Sequence, residues 1–173
     1  MIRDEDLKSS VDYSEGQKRA AHRVLVELVN IFEEYEDEIR VVGGWVPDLM
    51  FPKEGHVGSV EAERPDGAID VANVSVVAVV PYLIMKTAAM GRGKAKDAYD
   101  IYFIIKHYIG GVRELAKEFE PVRDKNIVIE AKDKLAGKFA SENHAGPKDV
   151  VDFMDLEDEE SIEMTRRDAY EQV

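Results

Sequence analysis

The chain has 173 residues, a formal net charge of −13, 45% apolar residues and no cysteine. That length suffices for one domain, or one domain with a small helical appendage, around a real core. The charge excludes a general nucleic-acid surface, which needs clustered Lys and Arg, and the missing thiols exclude a disulfide framework, a thiolate metal site and a Cys nucleophile. No run approaches the ~18 apolar residues of a membrane span, and the acidic start, Met1 to Asp6, does not read as a signal or transit peptide. A cytoplasmic protein is expected.

In chain order, residues 14–37 read as an amphipathic helix. Ser14 and Gln17 form a capping box, and Ala21, Val24, Leu25, Leu28, Phe32 and Tyr35 make the apolar stripe. Ile39 to Val42 reads as a buried strand. Gly43-Gly44 follows, then a short helix over 45–50 and a loop over 51–58 marked by Pro52, Gly55 and Gly58. A strand is expected over 57–63, a turn at Pro65-Asp-Gly67 and a Val-rich strand over 69–79 paired with it in a hairpin. Pro81 suits the first turn of a helix over 81–90, ended by Gly91. A helix over 95–107 stops before Gly110-Gly111. Helices over 112–119, 122–139 and 147–171 complete the chain, broken near His144–Pro147. The fold class is therefore α+β, with about three strands. That is short of sheet, because a strand like 39–42 normally needs neighbours on both sides.

Three groups of residues carry chemistry. Gly43-Gly44 lets a backbone approach a ligand closely, and the free N–H groups of the following turn suit a phosphate; an ordinary turn has the same signature. Glu61 and Glu63, two apart on a strand, point to one face. They can hold a divalent ion that bridges nucleotide phosphates, or they are plain solvent-facing charges. Residues 86–96 hold Lys86, Arg92, Lys94 and Lys96 with no acid among them. Lys86 sits in an apolar helix, so it either snorkels to the surface or faces an anion, since an unpaired buried ammonium is costly. Asp97 and Asp100, at i,i+3 near a helix start, complement its dipole or fix Arg92 or Lys94. An ordinary charged helix–turn–helix has the same pattern. The four histidines show no metal-ligand spacing, and no His lies near Ser59 in sequence to suggest a triad.

Taken together, Val41-Val-Gly-Gly-Trp-Val-Pro-Asp-Leu-Met-Phe-Pro with His56-Val-Gly-Ser59, and Val80-Pro-Tyr-Leu-Ile-Met-Lys86 with Lys94-Ala-Lys-Asp-Ala-Tyr-Asp100, resemble the AbiEii nucleotidyltransferases, the toxin family of type IV toxin–antitoxin systems. The resemblance implies a small remnant nucleotidyltransferase-like sheet up to residue 80, packed with a helical portion over 81–173. It implies nucleotide binding by Gly43, Gly44, Lys86, Lys96, Asp97 and Asp100. It also implies Mg²⁺, an NTP such as GTP as donor, and a cognate antitoxin or an RNA or protein acceptor. Where the family has Ser-Ile-Asp-x-Asp, this chain has Ser59-Val-Glu-Ala-Glu63. Either Glu61 and Glu63 are the metal-binding and catalytic pair, each carboxylate moved by one methylene (about 1.5 Å), or they belong to a later strand joined by an internal deletion. The missing sheet agrees with the deletion. Two functions follow: metal-dependent nucleotidyl transfer from an NTP, or an inactive remnant that binds a nucleotide or a protein.

Overall fold

The computed structural model describes residues 15–51, 58–64 and 66–173. The class is α+β: eight α-helices and one two-stranded antiparallel sheet among the described residues. These residues divide into two compact units, the first ending at Ala78 and the second running from Val79 to Val173.

The first unit is a helix laid on a hairpin. Strands β1 (Ser59–Glu63) and β2 (Ile69–Asn73) pair with Val60 opposite Ala72 and Glu61 opposite Val71. Asp66 Oδ1 accepts from the Ala68 amide, and Gly67 supplies the positive φ of 84° that the turn needs. Arg64 forks onto Asp70 beside the turn. Alternation then sends Val60, Ala62 and Ala72 inward, where Val26 of α1 (Glu15–Ile31) meets them with Leu25 and Val29 alongside.

The buried stripe of α1 is not the expected one. Val24, Leu28, Phe32 and Tyr35 are exposed, and the contact runs along Leu25, Val26 and Val29 instead. A two-stranded sheet is too narrow to cover a wide apolar stripe. The helix also stops sooner than residue 37. The Phe32 amide splits between the carbonyls of Leu28 and Val29, and a 3₁₀ turn over Glu33–Tyr35 follows. A run of acids there opposes the negative C-terminal end of the helix dipole. Ser14 lies outside the described residues.

Strand 39–42 does not form. Among the described residues it pairs through a single parallel bridge from Val41 to Val76, made by Val41 N to Ser75 O and Val77 N to Val41 O. Apolar β-branched residues favour a strand only where a partner edge runs beside them. β2 likewise stops at Asn73 rather than reaching residue 79. The short helix α2 (Val46–Met50) forms as expected, with Val46, Pro47 and Leu49 buried. Most of the loop read over 51–58 lies outside the described residues.

The second unit is all-helical around α4 (Ala95–His107), whose buried residues Ala98, Ile101, Tyr102, Ile104 and Ile105 cover more than one face. α3 (Val79–Ala89), α5 (Gly111–Phe119), α7 (Ala145–Met154) and α8 (Glu159–Gln172) pack on it, and α6 (Asn126–Lys138) packs on α3. Glycine ends the α3 segment two residues later than expected: a 3₁₀ turn continues through Arg92, and Gly93 at φ 75° stops it. The helix expected over 147–171 is two helices. Asp155 adopts a left-handed conformation at the end of α7, and Asp158 caps α8 by accepting from Ser161 N at 2.8 Å. No helix among the described residues is long and apolar enough to cross a membrane.

Candidate functional site

The second unit joins two groups of residues that are well separated in sequence. The 3₁₀ turn and Gly93 fold α3 back against α4, so Lys86 near the end of α3 meets Asp97 and Asp100 in the first two turns of α4. Lys86 Nζ donates to Asp97 Oδ1 at 2.9 Å and lies 2.6 Å from Asp100 Oδ2. Lys96 Nζ approaches Asp100 Oδ1 at 3.3 Å, and Arg92 Nη2 is 3.7 Å from Asp97 Oδ2. The three central side chains are 11%, 5% and 1% exposed for Lys86, Asp97 and Asp100. Lys86 therefore neither snorkels nor waits for a ligand: the anions it faces are the protein's own. Burial opposes its charge, but Asp100 and then Asp97 outweigh that, so the ammonium titrates above an ordinary lysine.

Among the described residues, two carboxylates meet three cations, Lys86, Lys96 and Arg92. Arg92 is 66% exposed and Lys96 28%, so these two lie outermost. Lys96 also lies over the Phe153 ring at 5.0 Å, which fixes its stem. An enclosed pair of acids thus organises cations at a surface, where an anion can reach them.

In the first unit, Gly43 has φ 96° with open space where a Cβ would stand, so the turn is one that favours glycine. It leads into α2, whose five residues supply little of the summed dipole that makes a long helix start attractive to phosphate. Glu61 and Glu63 lie on the outer face of the hairpin, both exposed, beside Val71 and Ile69 across the strands. Two carboxylates on one face suffice for a Mg²⁺ that takes its remaining ligands from water and phosphate, but not for an all-protein cage. Among the described residues no group of three or more His, Asp or Glu side chains converges.

Sequence reasoning missed one polar cluster. Tyr102 donates to Asp168, Lys106 Nζ donates to Tyr102 Oη at 2.7 Å and to Asp168 at 2.6 Å, and the three together tie α8 to α4. The i,i+4 spacing of Tyr102 and Lys106 was available as a signal. Nothing local points to an aspartate more than sixty positions away. Compared with known families, characterised proteins and solved structures, the chain shows no match.

Proposed function

We propose that this is a cytoplasmic nucleotidyltransferase-like protein of the AbiEii type that binds an NTP, with GTP the first candidate. The observation that carries the reading is the Lys86 cluster. Two segments that the resemblance assigns to nucleotide binding, Lys86 and the Lys96-Asp97-x-x-Asp100 run, converge within 3.3 Å. In this reading Asp97 and Asp100 hold Lys86 in place and position Lys96, while Lys96 and the exposed Arg92 contact the triphosphate. The resemblance alone assigns Gly43 and Gly44, in the first unit, to the nucleotide; Gly43 has open space where a Cβ would stand. Glu61 and Glu63 would hold Mg²⁺, which when bound neutralises phosphate charge and favours in-line displacement. The acceptor is an RNA or a protein, and a cognate antitoxin is the expected partner.

A second reading, a nucleotide- or protein-binding module without transfer, is favoured by the outer face of the hairpin. There the two glutamates share their surface with exposed Ile69 and Val71, neighbours that do not add ligands to a metal. Calorimetry with GTP, with and without Mg²⁺, separates the readings when run beside transfer of labelled nucleotide to RNA and protein. The transferase reading expects Mg²⁺-dependent binding and label transfer, both reduced by Glu63→Ala. Binding without transfer supports the module. No GTP binding at all, or binding untouched by Arg92→Gln with Lys96→Gln, sinks both forms of nucleotide recognition.

A further inference from the structure

Helix α1 carries two apolar stripes, and the hairpin covers one of them. Leu25, Val26 and Val29 pack with the inward residues of β1 and β2. Val24, Leu28 and Ile31, at i, i+4 and i+7, form the second stripe on another side of the helix. They are 55%, 45% and 71% exposed, and exposed Phe32 and Tyr35 carry the patch into the 3₁₀ turn. Single exposed apolar residues need no partner, but five in a row along one element mark a protein-contact face.

The charges beside this row identify what covers it. Residues 15–26 hold Lys18, Arg19 and Arg23 against the single acid Glu15, whereas residues 27–38 hold six acids and no Lys or Arg. The acids from Glu33 to Glu38 make no ion pair among the described residues. Lys18 reaches Glu15 at 2.9 Å and Arg23 reaches Glu27 at 3.3 Å, exposed pairs within one helix that exchange readily. Arg23 and Glu34 are eleven residues apart, about three turns, which puts both on the same flank of the row.

We propose that the outer stripe of α1 is the self-complementary interface of a twofold homodimer. A twofold contact sets a patch against its own copy. With the two helices antiparallel about Leu28, the basic first half of each lies along the acidic end of the other. Arg23 then faces the other copy's Glu34, and Val24 meets its Phe32. A parallel pair would set the two acidic runs side by side, and a partner basic throughout would match the acidic end but repel Lys18, Arg19 and Arg23.

Sedimentation equilibrium of the full chain from about 1 to about 300 µM tests this. A monomer–dimer equilibrium with no larger species is expected, because a twofold contact closes on itself. Leu28→Glu should leave a monomer throughout. Arg23→Glu and Glu34→Arg should each weaken the dimer by about ten-fold, as for loss of a close charge pair, and their combination should restore it. The two single changes shift net charge in opposite directions, so a general charge effect would separate them. The restoration decides the matter if Leu28→Glu fails to fold. The proposal is overturned by a monomer at the highest concentration, by open-ended assembly, by a Leu28→Glu chain that dimerises as before, or by a double exchange no tighter than the single ones.

Discussion

Replacing Lys86 by methionine removes the one enclosed cation of the cluster while keeping the length and much of the volume of the side chain. Asp97 and Asp100, 5% and 1% exposed, are then left facing each other's charge. Breaking a buried pair in this way costs about 3–5 kcal/mol. Asp100 keeps Lys96 at 3.3 Å, whereas Asp97 keeps only Arg92 at 3.7 Å and 66% exposed, a contact worth less than about 1 kcal/mol. The loss at pH 7 is therefore expected near the lower end, about 3 kcal/mol. In the unsubstituted protein the raised Lys86 pKa gives a stabilisation fully present below the unfolded lysine value of about 10.4 and lost as the pH rises through the folded one. Urea unfolding followed by far-ultraviolet circular dichroism at pH 7 measures the deficit of the variant. A deficit under about 1 kcal/mol would refute the enclosed-pair reasoning. The triple change Lys86→Met, Asp97→Asn, Asp100→Asn should recover most of the loss. The same measurement conditions any GTP titration of Lys86→Met, because lost binding there is interpretable only where the fold survives.

Three further outcomes follow from particular contacts. Gly58→Ala should destabilise by about 1–3 kcal/mol in thermal melts, because φ is +74° and the added Cβ would stand 2.8 Å from the Val74 carbonyl; Gly67→Ala, at φ +84° with nothing nearby, should cost only about 1–2 kcal/mol. Asp158→Ala removes the cap on Ser161 N and should cost about 1 kcal/mol, read as faster hydrogen exchange at the start of α8. The Lys106 and Tyr102 contacts outweigh burial and hold Asp168 below an ordinary carboxylate, so its stabilisation is present above the unfolded value of about 3.9 and is lost as the pH falls through the lower folded one. Asp168→Asn should abolish that acid-side slope in denaturant melts at pH 2–5.

The helices were legible because each carries its own signal. The bounds of Ala95–His107 could be read because the segment is predominantly apolar after its charged start and the glycines at 110–111 follow it. The strands were legible only where a neighbour lay close in sequence. The 59–63 and 69–73 pair is a hairpin, and its turn residues announce it. Strand 39–42 has the same apolar, β-branched composition, yet among the described residues its ladder is one bridge, because whether a partner edge exists is not a property of those four residues. α1 failed in a related way: its apolar positions form two overlapping stripes, and the width of the sheet beneath decides which is buried. The break at 155–158 did carry a signal. Asp158-Glu-Glu-Ser161 is an acidic helix start with a capping side chain, masked by the continuous polarity around it.

The Lys86 cluster marks the boundary between what composition forces and what it leaves open. An ammonium in an apolar helix demands a partner on energetic grounds alone, and acids at the head of the next helix are within reach of any tight α3–α4 turn. The demand is therefore readable, and it is met by Asp97 and Asp100 at 2.9 and 2.6 Å. The same closure changes what the lysine can do. An ammonium held by two buried carboxylates is committed to them, so in the proposed nucleotide site the phosphate would be met by the cations nearer the surface. Lys96 and Arg92, rather than Lys86, are the residues whose charge a phosphate would meet. Loss of phosphate affinity should accordingly follow charge removal at Lys96 and Arg92, while loss of fold follows charge removal at Lys86. Paired measurement of GTP binding and urea stability across the three variants distinguishes the two roles residue by residue.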